Sequence, residues 1–250
     1  MKYFLLILGL FIVNTNTIFS QDLRLDNKMF VKRFIDYVKN NNKTAIANMV
    51  VYPLHRPFPI PDIKNQEEFV QRYNQIFDAN LKELINNSTL ERNWTEVGWR
   101  GISFNNGTMW LTTEGELYQI NYTSQNETNL KKTLIEQDKK KLHHSLLPFK
   151  QPILLLKTKN YTIRIDEIDN QQFRYASWTK KQPISTKPDL MLYGGDLIVE
   201  QGSMGAYKYV FKNGEFVYEC GINPLEDNNA YLLVYKGGQE LLFEVAQIVK

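Results

Sequence analysis

The sequence predicts an α+β N-terminal domain, with helices packed on a curved antiparallel sheet, followed by an all-β antiparallel meander that closes as a barrel or a sandwich. Three observations predict it. Apolar residues recur at helical spacing between residues 26 and 85, short alternating runs bounded by glycine and asparagine take over after residue 94, and no helical period returns after residue 151. Helices followed by antiparallel strands, rather than alternating with them, are the mark of an α+β domain.

The first twenty residues, MKYFLLILGLFIVNTNTIFS, carry Lys2, an apolar run from Phe4 to Val13 and a small residue at Ser20. This is the pattern of a secretory signal cleaved near Ser20-Gln21, and it predicts a periplasmic or secreted protein. The apolar run covers only half of the ~20 residues that a spanning helix needs, so no stable membrane insertion is expected after cleavage. Residues 21–125 then read as the α+β domain, 126–150 as a helical linker and 151–250 as the all-β domain. At 43% hydrophobic and 13% aromatic residues, the chain has enough apolar surface for genuine cores. A net charge of +3 is too weak to imply a nucleic-acid partner. Cys220 is the only cysteine, so no disulfide forms within the chain; at period two from Phe216 and Tyr218, it is expected to be a buried, inert thiol.

In DNKMFVKRFIDYVKNN, Phe30, Phe34, Tyr37 and Val38, with Val31 beside them, fall on one helical face, and Asp26 is the expected N-cap. A second helix, Thr44 to Val50, buries Ile46, Met49 and Val50. The prolines of YPLHRPFPIPD forbid a helix and favour an extended path. In NQEEFVQRYNQIF, Asn65 and Glu68 form a capping box, and Phe69, Tyr73, Ile76 and Phe77 line the buried face. Strands are then expected in TEVGWRGISF, TMWLTT and LYQINY, the first two joined by a turn at Asn105 to Gly107. The basic stretch NLKKTLIEQDKKKLHHSLL has leucines at helical spacing and reads as a solvated helix between domains.

FVKRFIDYVKNNNKTAIANMVVYPL, then IKNQEEFVQRYNQIFDANLKELI, then GTMWLTTEGELYQINY resembles the extracytoplasmic NTF2-like (cystatin-fold cone) proteins of bacteria over roughly 100 residues. The resemblance implies a pocket between curved sheet and helices, for which Tyr52, His55, Asp62, Tyr73 and Trp110 are the candidate residues. Some relatives, ketosteroid isomerase among them, use that pocket for proton transfer. Here no carboxylate and tyrosine pair matches the isomerase pattern, so the activity does not carry over on fold alone.

A general base working near neutral pH makes His55 the first catalytic candidate and Asp62 the second, with Tyr52 able to orient either. The competing reading packs Tyr52 in the core and points His55 and Arg56 to solvent. His143 and His144 are adjacent and cannot both face one metal from a regular helix. The acidic run IDEIDN lacks the alternation of a calcium loop and reads as a solvated turn at a strand end. No nucleophile elbow, phosphate loop or metal-ligand spacing occurs, and no cofactor is expected.

In the last hundred residues, YTIRID, FRYASW, DLMLY, LIVE, AYKYVF, EFVYEC, YLLVY and ELLFEV are strand-like, with turns expected at residue 169, Gly194-Gly195, Asn213-Gly214 and Gly237-Gly238. The Asn213-Gly214 turn sets Tyr207, Tyr209 and Phe211 across from Phe216, Tyr218 and Cys220. In FRYASW, Tyr175 and Ser177 fall on one face and Arg174, Ala176 and Trp178 on the other, which makes Trp178 either a core or a binding residue. YASW, KPDL at 187–190, QGSMGAYKYVFKNGEFVYEC and LLVYKGGQELL resemble a small β domain of uncharacterised bacterial exported proteins over about 80 residues. That resemblance supplies architecture and no reaction. The functional expectation is an exported, non-enzymatic binding protein for a small molecule or an extracellular protein. The alternatives are a pocket enzyme using His55 or Asp62, and a lysozyme-inhibitor-like protein acting through the GSMGAY loop.

Overall fold

A computed structural model of the chain describes residues 23–169, 171–199, 206–222 and 230–249. The segment read as a secretory signal, its cleavage point and residues 202–205 of the GSMGAY loop lie outside the described residues. Helix α1 (Leu25–Lys39) buries Val31, Phe34 and Val38, while Phe30 is only half-buried. Its N-cap is Arg24 rather than Asp26, because the Glu96 carboxylate holds both the Arg24 backbone N–H at 3.2 Å and its guanidinium at 2.8 Å. Asp26 lies in the first turn, where its charge suits the helix dipole. Helix α2 (Lys43–Ala47) stops short of the expected Val50, since the Val51 N–H leaves to pair with the Leu117 carbonyl at 2.9 Å.

Helix α3 (Gln66–Ile76) has the expected cap: Asn65 accepts from the Glu68 N–H at 3.0 Å, and Glu68 reaches back to the Lys64 N–H at 3.0 Å. Helices α4 (Ala79–Asn86) and α5 (Leu90–Asn93) lead into a four-stranded antiparallel sheet in sequence order: β1 (Trp94–Glu96), β2 (Ile102–Phe104), β3 (Met109–Leu111) and β4 (Leu117–Ile120). The run expected as one strand, TEVGWRGISF, is therefore a hairpin of two. Gly98 and Gly101 have φ of +52° and +89°, and a Cβ on Gly101 would lie 2.1 Å from the Leu111 carbonyl oxygen, so the chain turns where only glycine fits. Between helices and sheet, Phe34 of α1 meets Trp94 of β1 edge-on at 6.1 Å, and at the end of α3 Tyr73 stacks on Phe77 at 4.8 Å, all within one buried core.

Helix α6 (Gln125–Lys139) ties the two halves of the chain together. At its N-terminus, Glu127 forms a fully buried ion pair with Arg56, with Nε–Oε1 at 2.7 Å and Nη2–Oε2 at 2.5 Å; Arg56 also donates to the carbonyls of Ile120 and Tyr122 at 2.6 and 2.8 Å. Arg56 was expected to point to solvent. It is buried instead because the Leu54–Ile63 bridge folds the proline-rich segment back on itself and aims residue 56 at the start of α6. At the other end of α6, Asp138 meets Arg164 at 2.6 Å on the outer wall of the second domain.

That second domain is a closed barrel of eight antiparallel strands joined in sequence order: β5 (Gln151–Lys157), β6 (Tyr161–Asp169), β7 (Gln172–Thr179), β8 (Leu190–Val199), β9 (Tyr207–Asn213), β10 (Phe216–Ile222), β11 (Ala230–Lys236) and β12 (Gln239–Ile248). Strand β5 precedes the expected strand-like runs. The expected hairpin at Gly194-Gly195 is the middle of β8 instead, so the two runs expected as separate strands are one strand over Leu190–Val199. Gly194, at φ +72°, bends that strand between its partners β7 and β9, and Gly195 has the Phe211 ring where a Cβ would be, at 2.2 Å. The acidic run IDEIDN is not a solvated turn either. Asp166 is fully buried in β6, bonded to Arg164 and Arg174 at 2.7 Å each, and Glu167 is held by Lys150 at 2.8 Å. The barrel closes where Gln247 and Ile248 pair with Lys157 and Leu156, reinforced by the Val249 N–H on the Leu155 carbonyl at 2.8 Å.

Candidate functional site

Strand alternation divides the barrel residues into an inner and an outer set. Toward one end the inner set packs solidly: Phe173 meets Tyr209 edge-on at 4.9 Å, and Leu154, Ile165, Cys220 and Ile222 fill the space between the walls. Toward the other end the side chains stop meeting. A cavity of about 620 Å³ remains, lined chiefly by Tyr161, Tyr175, Ser177, Tyr218, Leu232 and Val234. It opens to solvent beside the exposed residues Thr179, Asp189 and Leu241. An eight-stranded barrel is just wide enough either to be filled by side chains or to hold one small ligand, and this one does the first at one end and the second at the other.

The cavity wall is apolar and aromatic with a few hydroxyls. Tyr175 stands at the boundary with the packed half, its ring 5.5 Å from Phe211 and 5.7 Å from Tyr218. Burial pushes its phenol well above the ordinary tyrosine range, with the neighbouring Cys220 thiol adding to the effect. It therefore stays a neutral hydroxyl at any physiological pH, able to donate to an oxygen or nitrogen acceptor on a bound molecule. Asp189 lines the mouth and accepts from the Thr179 N–H at 2.9 Å. The sequence placed Tyr175 and Ser177 on one strand face; its alternation with Ala176 and Trp178 was the signal for the cavity wall.

None of the six candidate residues lines this cavity. Tyr52 is half-buried and donates its hydroxyl to the Ala47 carbonyl at 2.9 Å, and burial raises its phenol to about 12. It orients neither of its proposed partners. His55 and Asp62 do come together, with Nδ1 to Oδ2 at 2.9 Å, but the imidazole is 69% exposed and the Asp62 carboxylate also accepts from the Arg56 N–H at 2.9 Å. This pair is a surface clasp across the proline-rich loop. Tyr73 is packed in the first core between Phe69 and Phe77, with the Lys82 ammonium 4.8 Å from its ring centre. Trp110 on β3 is half-buried and covers Gly107, where a Cβ would be 3.4 Å from its indole nitrogen. Trp178 lies on the outer wall of the barrel, fully buried against Ile135, Leu142, Leu146, Phe149 and Ala176, and its indole N–H bonds the Thr186 carbonyl at 2.9 Å.

Cys220 faces inward on β10, opposite Tyr209, and burial pushes its thiol up to about 12. Nucleophilicity belongs to the thiolate, which is scarce there at neutral pH. The folded protein is expected to leave Cys220 unmodified by iodoacetamide at pH 8 and to release it for stoichiometric alkylation in denaturant; rapid labelling of the native chain would contradict the buried placement. No group of three or more His, Cys, Asp or Glu side chains among the described residues is arranged to hold a metal ion. No helix among them is long and apolar enough to cross a membrane. No family model matches the chain, and neither a curated protein nor a solved structure is significantly similar to it.

Proposed function

We propose that this protein is an exported, non-enzymatic binding protein that carries a small, mostly apolar molecule in the open half of its barrel. The observation that carries the reading is the cavity itself: about 620 Å³ bounded by aromatic and aliphatic side chains, with neutral hydroxyls at its depth and a mouth open to solvent. Cavities of this volume suit ligands of drug-like size, and polar groups sparsely placed in an apolar wall fix orientation. Export is supported by the N-terminal pattern of Lys2, Phe4 to Val13 and Ser20. An NTF2-like origin for the first domain is supported by its order of helices, Tyr52-Pro53-Leu54 segment and hairpin, although strands of three and four residues are short for a sheet that encloses a pocket. The enzyme alternative draws on the His55–Asp62 pair, which sits on an exposed loop away from the cavity lining.

Native mass spectrometry of the protein isolated from its own host tests the reading. The expected result is a population heavier than the polypeptide by one small molecule. Val234, inward-facing on β11, lines the cavity, and Val234→Phe should abolish that extra mass by filling the space while leaving the barrel folded. A chain that always appears at its bare mass, together with a Val234→Phe variant no different from it, would count against a carried ligand.

A further inference from the structure

The end of the barrel at which the cavity opens is ringed by lysines. Four strand connections meet there, those of β5 to β6, β7 to β8, β9 to β10 and β11 to β12. Lys157 and Lys159 belong to the first, and Lys180, Lys181 and Lys187 to the second. Lys212 leads into the third and Lys236 into the fourth, and all seven side chains are exposed. Lys236 is tied directly to the mouth, its ammonium 5.3 Å from the ring centre of Phe216, which lines the cavity. The same connections hold three carboxylates, Asp189, Glu215 and Glu240, of which Asp189 is engaged by the Thr179 N–H, and a fourth, Glu244 of β12, reaches the first connection, where it accepts from the Asn160 backbone N–H at 3.1 Å. The sequence between β8 and β9, residues 200–206, and between β10 and β11, residues 223–229, contains no lysine, arginine or histidine.

The lining of the cavity has the reverse character. Among the described residues that line it there is no cation, and its only charged member is Asp189 at the mouth. An ionised head could not move inside without shedding its hydration unpaired, at a cost far above what the wall returns. At the mouth it keeps its water and enters a field in which seven ammonium groups outnumber four carboxylates, sharpened by the low-dielectric interior behind them. We propose that the ligand is a single-chain anionic amphiphile, with its hydrocarbon tail in the cavity and its acidic head among the lysines of the rim. This rests on the reading of the cavity as a binding site.

The test uses the full chain loaded with the neutral fluorophore N-phenyl-1-naphthylamine and titrated with decanoate, decanol and decyltrimethylammonium. These share one tail and differ in head charge. At about 10 mM salt, where the Debye length is ~30 Å, decanoate is expected to displace the fluorophore at roughly one-tenth the concentration that decanol needs, with the cation weakest. At about 1 M salt, where that length is ~3 Å, the advantage should vanish. Lys180→Glu combined with Lys181→Glu changes only exposed side chains; it should weaken decanoate several-fold and leave fluorophore binding as it was. Decanol equalling decanoate at low salt would overturn the anionic preference while the cavity reading stands. Failure of the fluorophore to bind would overturn both.

Discussion

Trp178→Ala is expected to lower the melting temperature of the full chain by roughly 10 °C. The side chain is fully buried and its indole N–H satisfies the Thr186 carbonyl, so truncation empties the centre of a small cluster and orphans an acceptor. Large-to-small changes of this kind cost about 3–5 kcal/mol, and each kcal/mol corresponds to about 2–4 °C in a protein of this length. The cluster is the seam between the outer face of β7 and the chain that runs from α6 into the barrel through Leu142, Leu146 and Phe149. The damage should therefore show first as protease cutting around Lys139 to Lys141, with the cavity affected only through loss of the fold. Trp178→Phe should recover much of the loss. A Trp178→Ala chain melting within about two degrees of the parent would place the indole outside the core.

The second large effect belongs to Arg56 and Glu127. Both side chains are wholly buried, and removing either leaves the other as an unpaired charge with no access to water. Each of Arg56→Ala and Glu127→Ala should cost about 3–5 kcal/mol in chemical denaturation. The double replacement Arg56→Met with Glu127→Leu should cost less than either, because it removes both charges and refills the volume; the residual loss comes from the Ile120 and Tyr122 carbonyls, which lose their donor. Losses that simply add in the double variant would show that the two groups do not depend on each other.

The sequence disclosed local structure where the signal was local. The Asn65 cap, the face of Phe69, Tyr73 and Ile76, and the Asn213-Gly214 hairpin with Cys220 opposite Tyr209 all follow from residues within one or two turns of each other. It misled where a distant partner decided the outcome. Arg56 reads as a surface residue of a proline-rich loop until Glu127, seventy-one positions later, lies beside it. Asp166 reads as a solvated acid until Arg174 and Arg164 close over it. Gly194-Gly195 has the composition of a turn, and it is the ring of Phe211 on a neighbouring strand that makes it a bend within β8. The candidate site suffered most from this. Titratable side chains drew attention to His55 and Asp62, whereas the cavity is made by Tyr161, Tyr175, Tyr218 and their neighbours on six different strands, none of them unusual in its own stretch of sequence.

The join between the first and last barrel strands sets when the cavity can come into being. Lys157 and Gln247 lie some ninety residues apart, and the intervening chain supplies all the other walls. Closing so long a loop is slow compared with forming any of the hairpins inside it, because its entropy is spent before the last contacts form. A growing chain can assemble the meander hairpin by hairpin, but until β12 is free it has an open, curled sheet in which Tyr175 and Tyr218 face water. The cavity is thus a property of the closed barrel alone. Any ligand the cavity carries can be held only once β12 has joined β5, and a chain that loses β12 loses the container along with the seam.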